Sequence, residues 1–246
     1  MRIGFAALRA VVFLLMLAAV IAQLGTSIHS TSQRGGNVVG LVLNFFSFFT
    51  IDSNVLGIVV LGIGAVLLLV RRGDDPGWFT ALRAAAVTYL VTTGVVYNLL
   101  LRNIPLPQGT TVGWSNEILH VVAPLYLLID WLFAPGRTPL RPRAVWGIAV
   151  FPIVWALYTL IRAPFAAEPV TGKQPWYPYP FLNPQTSPNG YLSVAFYVVL
   201  IAVVILAAGY GVVWISRRWS VRRRSDAPDA RGAQDAARDP RHAPTG

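Results

Sequence analysis

Apolar residues gather into six long runs, near residues 5–24, 46–70, 81–101, 114–133, 144–161 and 191–215, with short polar breaks between them. Each reaches or approaches the roughly 20 residues that an α-helix needs to cross a hydrocarbon core of about 30 Å. The run centres lack Lys and Arg. Arg9 and Arg83 stand nearer run ends, where long side chains can snorkel to the headgroups. The expected fold class is therefore all-α: an integral membrane bundle of six transmembrane helices over residues 1–216, then a cytoplasmic tail over 217–246, basic at first and disordered after.

The second run is awkward. Its apolar character starts near Val38 and lasts to Val70, which as one helix would be about 50 Å long. The segment either crosses twice, or crosses once with an interfacial lead-in. Charge separates the two readings, because short loops rich in Lys and Arg stay in the cytoplasm. Six single crossings with the N-terminus inside leave only Arg34, Arg102, Arg162 and Lys173 outside, out of 20 basic residues. An extra crossing would invert every later loop and destroy that bias. Both termini are thus expected in the cytoplasm. The first run could alternatively be a cleaved signal peptide, with Arg2 and Arg9 as its charged start. It is longer than a usual signal core, and no clear small-x-small site closes it.

Composition narrows the chemistry. Charged residues make up 12% of the chain and hydrophobic ones 55%, far from the roughly 25% charged of soluble domains. The net charge of +10 comes from Arg scattered between apolar runs, not from one basic face, so nucleic acid is not an expected partner. With no Cys and only three His, of which His242 lies in the polar tail, no metal site or other cofactor is expected. No Gly-rich phosphate loop and no G-x-S-x-G elbow is present. Membrane lipids are the expected partners. Residues 226–246, rich in Ala, Arg, Asp and Pro without an aromatic, read as disordered.

Polar residues inside the runs are not evenly spread. In this orientation Gln23, Thr26, Ser27, Thr50, Asp52, Ser53, Asn54, Asn98, Asn116, Glu117 and His120 all lie toward the outer leaflet. The inner halves hold little beyond Thr88, Asp130 and Thr159, and Asp130 beside Trp131 reads as an interfacial anchor. Polar groups at membrane depth are costly and are candidates for function. Thr50 lies about 6 Å beyond Phe46 along a helix, and His120 about 9 Å beyond Trp114, so the two can share a depth. A Thr hydroxyl needs a neighbouring base to become a nucleophile, and neutral imidazole suits that role. Asn54, Asn98 or Asn116 could orient the imidazole or donate to an oxyanion. Asp52 is about 200° round the helix from Thr50 and should not orient it. The plainer readings are a Thr bonded to its own helix backbone and a His bridging two helices. Between the last two runs, Lys173-Gln174-Pro175-Trp176-Tyr177-Pro178-Tyr179-Pro180-Phe181-Leu182-Asn183-Pro184 suggests a rigid aromatic segment, either an interfacial belt or a cap over the polar site.

Phe49-Thr50-Ile51-Asp52, then Asn116-x-x-x-His120, then Trp176 with Tyr179-Pro180-Phe181-Leu182, occur in an order that resembles the androgen-induced membrane hydrolase family and its bacterial six-pass relatives. The likeness covers roughly residues 1–216. It implies a six-helix membrane enzyme, with Thr50 as nucleophile, His120 as base and a lipid ester as substrate. Characterised animal members cleave fatty-acid esters of hydroxy fatty acids. The family often has a second His directly after the Asn, where this chain has Glu117. The supporting or substrate-binding residues would be Asn54, Asn98, Asn116, Glu117, Trp176 and Tyr179. The Ala- and Arg-rich usage suits a high-GC bacterium, hence a plasma (inner) membrane location. The competing reading is a non-catalytic membrane protein, either a lipid- or partner-binding scaffold or a small transporter. A transporter would show a polar path through both leaflets.

Overall fold

The computed structural model describes residues 1–104 and 111–225, and among these it is all helical, with no strand. Seven helices follow one another: α1 (Arg2–Gln33), α2 (Val38–Phe45), α3 (Phe49–Val70), α4 (Gly77–Leu101), α5 (Gly113–Phe133), α6 (Ala144–Phe165) and α7 (Tyr191–Ser225). Six of them are long and apolar enough to cross a membrane; α2 is not. The awkward second run thus divides. Asn37 caps α2 by accepting a hydrogen bond from the Gly40 amide (2.9 Å), and the chain breaks over Phe46–Phe48 before α3 begins. At eight residues α2 is about 12 Å long, so it leads into α3 without crossing.

The long helices alternate in direction. Arg2 meets the end of α3 at Leu68 O and Arg71 O, and Leu140 donates to Ser216, so both ends of the chain's helical part lie at one end of the bundle, the lower end here. Asn37 donates to Pro169 O (2.7 Å) and Val112 to Gln23 (2.9 Å) at the upper end.

Glycines set the registers. A β-carbon on Gly57 would sit within 3 Å of Met16 and Leu90, and one on Gly64 within 2.8 Å of Arg9. These two, seven residues apart on one face of α3, let α1 and α4 close against it. In this antiparallel register Arg9 lies opposite Gly64 and Met16 opposite Gly57, so Gln23 comes level with Thr50. Which residues of α1 and α3 meet at the site is therefore set by packing in the middle of the bundle.

Two expectations change. Arg9 and Arg83 do not snorkel, and Asp130 is not an interfacial anchor: all three are buried, and both arginines pair with the Asp130 carboxylate. The vacancy at Gly64 accepts the Arg9 guanidinium, which donates to Gly64 O (2.8 Å) and, bidentately, to the Asp130 carboxylate (2.8 and 3.0 Å). Arg83 bridges Asp130 (2.9 Å) to Asp75 (2.9 Å). Inside the bundle the guanidinium finds fixed partners, which a headgroup does not supply. The helix α7 continues to Ser225, so the basic run that starts at residue 217 extends it. The tail expected to be disordered, 226–246, lies outside the described residues.

Candidate functional site

Thr50 stands in the first turn of α3, where backbone N–H groups have no helical acceptor. Tyr179, reaching down from the loop between α6 and α7, supplies one. Its phenol oxygen accepts from the Thr50 amide (3.2 Å) and lies 3.3 Å from the Thr50 hydroxyl. Thr88 and Thr92 donate to the carbonyls one turn back, Ala84 O and Thr88 O, as a helical Thr ordinarily does. Thr50 does not, because no helical turn precedes it. Burial pushes the Tyr179 phenol up to about 12, so it remains a hydrogen-bond donor at neutral pH. The ring is held edge-on by Phe48 (5.5 Å) and stacked on Phe181 (5.2 Å). The Trp176 ring also packs edge-on against Phe48 (5.7 Å).

His120 sits in an unusual stretch of α5. Residues Ile118–Val122 are wound as a π-helix, and Ala123 N–H bonds Ile118 O. The cause lies two residues on. Pro124 has no N–H, so neither Leu119 O nor His120 O can be served by it. Side chains of neighbouring helices compensate. Asn54 donates to Leu119 O (3.2 Å) as well as to Thr50 O (2.8 Å), and Asn98 approaches His120 O (3.5 Å). Gly94 makes room on the α4 side, where a β-carbon would stand 3.0 Å from Pro124. Opposite, Tyr97–Leu101 of α4 is also a π segment, and Tyr97 stacks on the imidazole with centroids 4.0 Å apart. Such irregular turns are frequent at functional sites.

The imidazole is oriented by the backbone. His120 Nδ1 lies 2.9 Å from Asn116 O, an acceptor only, so Nδ1 carries the proton and the lone pair of the neutral ring is at Nε2. Helical side chains lean toward the helix N-terminus, which for α5 is the upper end. The ring therefore leans toward the level of Thr50. Both residues line one cavity of about 50 Å³, together with Tyr179, Trp176, Asn116 and Gln23. That volume holds a few waters. No direct hydrogen bond joins Thr50 to His120 among the described residues.

A second cavity, of about 190 Å³, lies on the other side of Thr50 between α4, α6 and α7. Its lining is almost wholly apolar and includes Val96, Ala149, Ile153 and Ile205. Thr50 and Tyr179 line both cavities.

Of the residues singled out in the sequence, Thr50, His120, Asn116, Trp176 and Tyr179 thus come together around one space. Asn54, Asn98 and Glu117 do not line it. Asn54 and Asn98 serve the backbone opened by Pro124. Glu117 turns outward and pairs with Arg102 (2.7 Å), both about half exposed. Asp52 faces away from Thr50, as the helix geometry requires. Tyr97 was not among the candidates; besides stacking on His120, its hydroxyl accepts from the Asn116 side chain. The signal for it was its place beside Asn98 in the same depth band. No group of His, Cys, Asp and Glu suited to a metal occurs among the described residues. No protein-family model, curated protein or solved structure matches this chain.

Proposed function

We propose that the chain is an intramembrane ester hydrolase of the kind its motifs resemble, with Thr50 as nucleophile and His120 as base. The observation that carries the reading is that Thr50 forms part of the wall between a small cavity that holds the side chains of Gln23, Asn116 and His120 and a larger, almost wholly apolar one. An ester of a long-chain acid needs both surroundings at once: an apolar slot for the chain and a chamber with a few placed polar groups for the reacting carbonyl and water.

The sequence of steps follows from the groups in place. Thr50 Oγ1 forms a bond to the ester carbonyl carbon as its proton passes to His120 Nε2, through one water in the cavity. Tyr179 is placed to donate to Thr50 Oγ1 or to the oxyanion. Collapse of the tetrahedral intermediate breaks the carbon–oxygen ester bond, and the departing alkoxide takes the proton from His120. A water then gives its proton to His120 and attacks the acyl-Thr50 carbonyl. Thr50 leaves with that proton and the free acid departs. Asn116 holds the imidazole through its carbonyl and Tyr97 through its side chain.

The distribution of basic residues supports a multi-pass orientation with both termini in the cytoplasm of a bacterium, which opens the site to the outer leaflet of the plasma membrane. Reporter fusions after Arg72 and Arg143 should then read inside, and one near Gly172 outside. A periplasmic reading after Arg143 would reverse the orientation.

The experiment for the chemistry is labelling of purified full-length protein by a fluorophosphonate hydrolase probe. Wild type should label, Thr50→Ala should not, and Thr50→Ser should label in part. Equal labelling of Thr50→Ala removes Thr50 as nucleophile. A wild type that neither labels nor cleaves any lipid ester leaves the lipid-binding scaffold as the better reading.

A further inference from the structure

Asp52 belongs to the same short motif as Thr50, yet the proposed reaction does not use it. Its carboxylate has no hydrogen-bond or ion-pair partner among the described residues. It lines a third space, an open groove of about 960 Å³ between α3, α4 and α6 on the outside of the bundle. The rest of the lining is apolar or aromatic and includes Phe46, Tyr89, Phe151, Trp78 and Ala144.

The groove's direction follows from the helix register. Leu90 packs on Gly57, Asp52 is five residues above Gly57, and Trp78 is twelve residues below Leu90. At 1.5 Å per residue the groove runs about 25 Å along the bundle, more than half the thickness of a hydrocarbon core. A lipid chain inserted from the upper leaflet stays within it. At its upper end the Asp52 side chain leans toward the α3 N-terminus, hence toward the membrane boundary. The result is one carboxyl group, without a protein counter-charge, at the top of an apolar channel open to lipid.

We infer that this groove is a binding site for a phospholipid with a primary ammonium headgroup, its chain lying between α3, α4 and α6 and its ammonium donating to Asp52. Charge complementarity selects the headgroup: an ammonium completes the lone carboxylate by a charge-assisted hydrogen bond, whereas an anionic headgroup is repelled. A quaternary ammonium carries the charge but has no N–H to donate. Thr50 faces the opposite side of α3, so this site is separate from the proposed hydrolase centre and stands without it.

The test is retention of lipid by the purified full-length protein in bilayer discs of equal parts phosphatidylethanolamine, phosphatidylcholine and phosphatidylglycerol, read by native mass spectrometry. Wild type should keep one phosphatidylethanolamine in about tenfold preference to phosphatidylglycerol, the size expected of one hydrogen bond to a charged group, and in smaller preference to phosphatidylcholine. Asp52→Asn should bring phosphatidylethanolamine and phosphatidylglycerol to parity at unchanged thermal stability. If that variant does not fold, Val55→Trp, which fills the groove and keeps the carboxylate, should lower retention of all three lipids. Equal retention by wild type, preference for phosphatidylglycerol or phosphatidylcholine, a phosphatidylethanolamine preference that survives Asp52→Asn, or lipid retention untouched by Val55→Trp would each overturn the proposal.

Discussion

The two ends of the bundle solve the same problem in opposite ways. Each holds a cluster of polar side chains among apolar helices. At the lower end Arg9, Arg83, Asp75 and Asp130 are buried, neutral as a set, and joined by contacts of 2.8–3.0 Å across α1, α4, α5 and the segment before α4. None of the three cavities is lined by them. At the upper end Thr50, His120 and Tyr179 border open space, and two helices leave regular α winding around them. The lower cluster spends its bonding capacity on holding helices together. The upper one keeps Nε2 and a hydroxyl available. A polar residue at membrane depth is thus a poor guide to function until its partners are known. Charge is the stronger sequence signal here and marks the structural end.

The comparison can be broken most forcefully at Asp130. Asp130→Ala strands Arg9 and leaves Arg83 with Asp75 alone, a loss of about 3–5 kcal/mol. The expected readout is loss of monodisperse protein in detergent. Adding Arg9→Met should recover much of it, since one Arg and one Asp remain paired. If Asp130→Ala behaves as wild type, the lower cluster is not a clamp.

The upper end predicts the reverse profile. His120→Ala should lower lipid-ester hydrolysis by about 10²–10⁴-fold with a melting temperature close to wild type. A fall in stability with retained turnover would make His120 structural. Asn54→Ala tests the boundary between the two behaviours. It removes the donor to Leu119 O and Thr50 O and should cost about 1–3 kcal/mol by denaturant titration.

Smaller effects sharpen the assignment. Tyr179→Phe keeps the ring packing and removes the hydroxyl beside Thr50, so turnover should fall about tenfold, the value of one ordinary hydrogen bond. Unchanged turnover would leave Tyr179 as packing only. The least effect belongs to Glu117→Gln. The half-exposed pair with Arg102 is worth about 0–1 kcal/mol, and neither stability nor hydrolysis should move beyond that. A large loss would mean that Glu117 acts in place of the second His of the resembled family.

Much of the bundle was legible in the chain because its cause is local. A run of some 20 apolar residues must be helical in a bilayer, where every backbone group needs an internal partner, and no distant contact is required for that. Hence the six helices and the polar band that places Thr50 and His120 near one depth. The fate of Arg9, Arg83 and Asp130 was not legible. Whether a charge near a run's end reaches outward or inward depends on what the neighbouring helix presents, and here a glycine two helices along the chain opens the inward place. The same holds for Asn54 and Asn98. Their spacing suits an active site, yet Pro124 on another helix opens carbonyls that claim them. Local sequence determined the elements, their lengths and the level of the polar groups. Tertiary packing decided which of those groups meet a partner and which are left facing a cavity, because hydrogen bonds between helices depend on register and facing, which arise only when glycines and large side chains interlock.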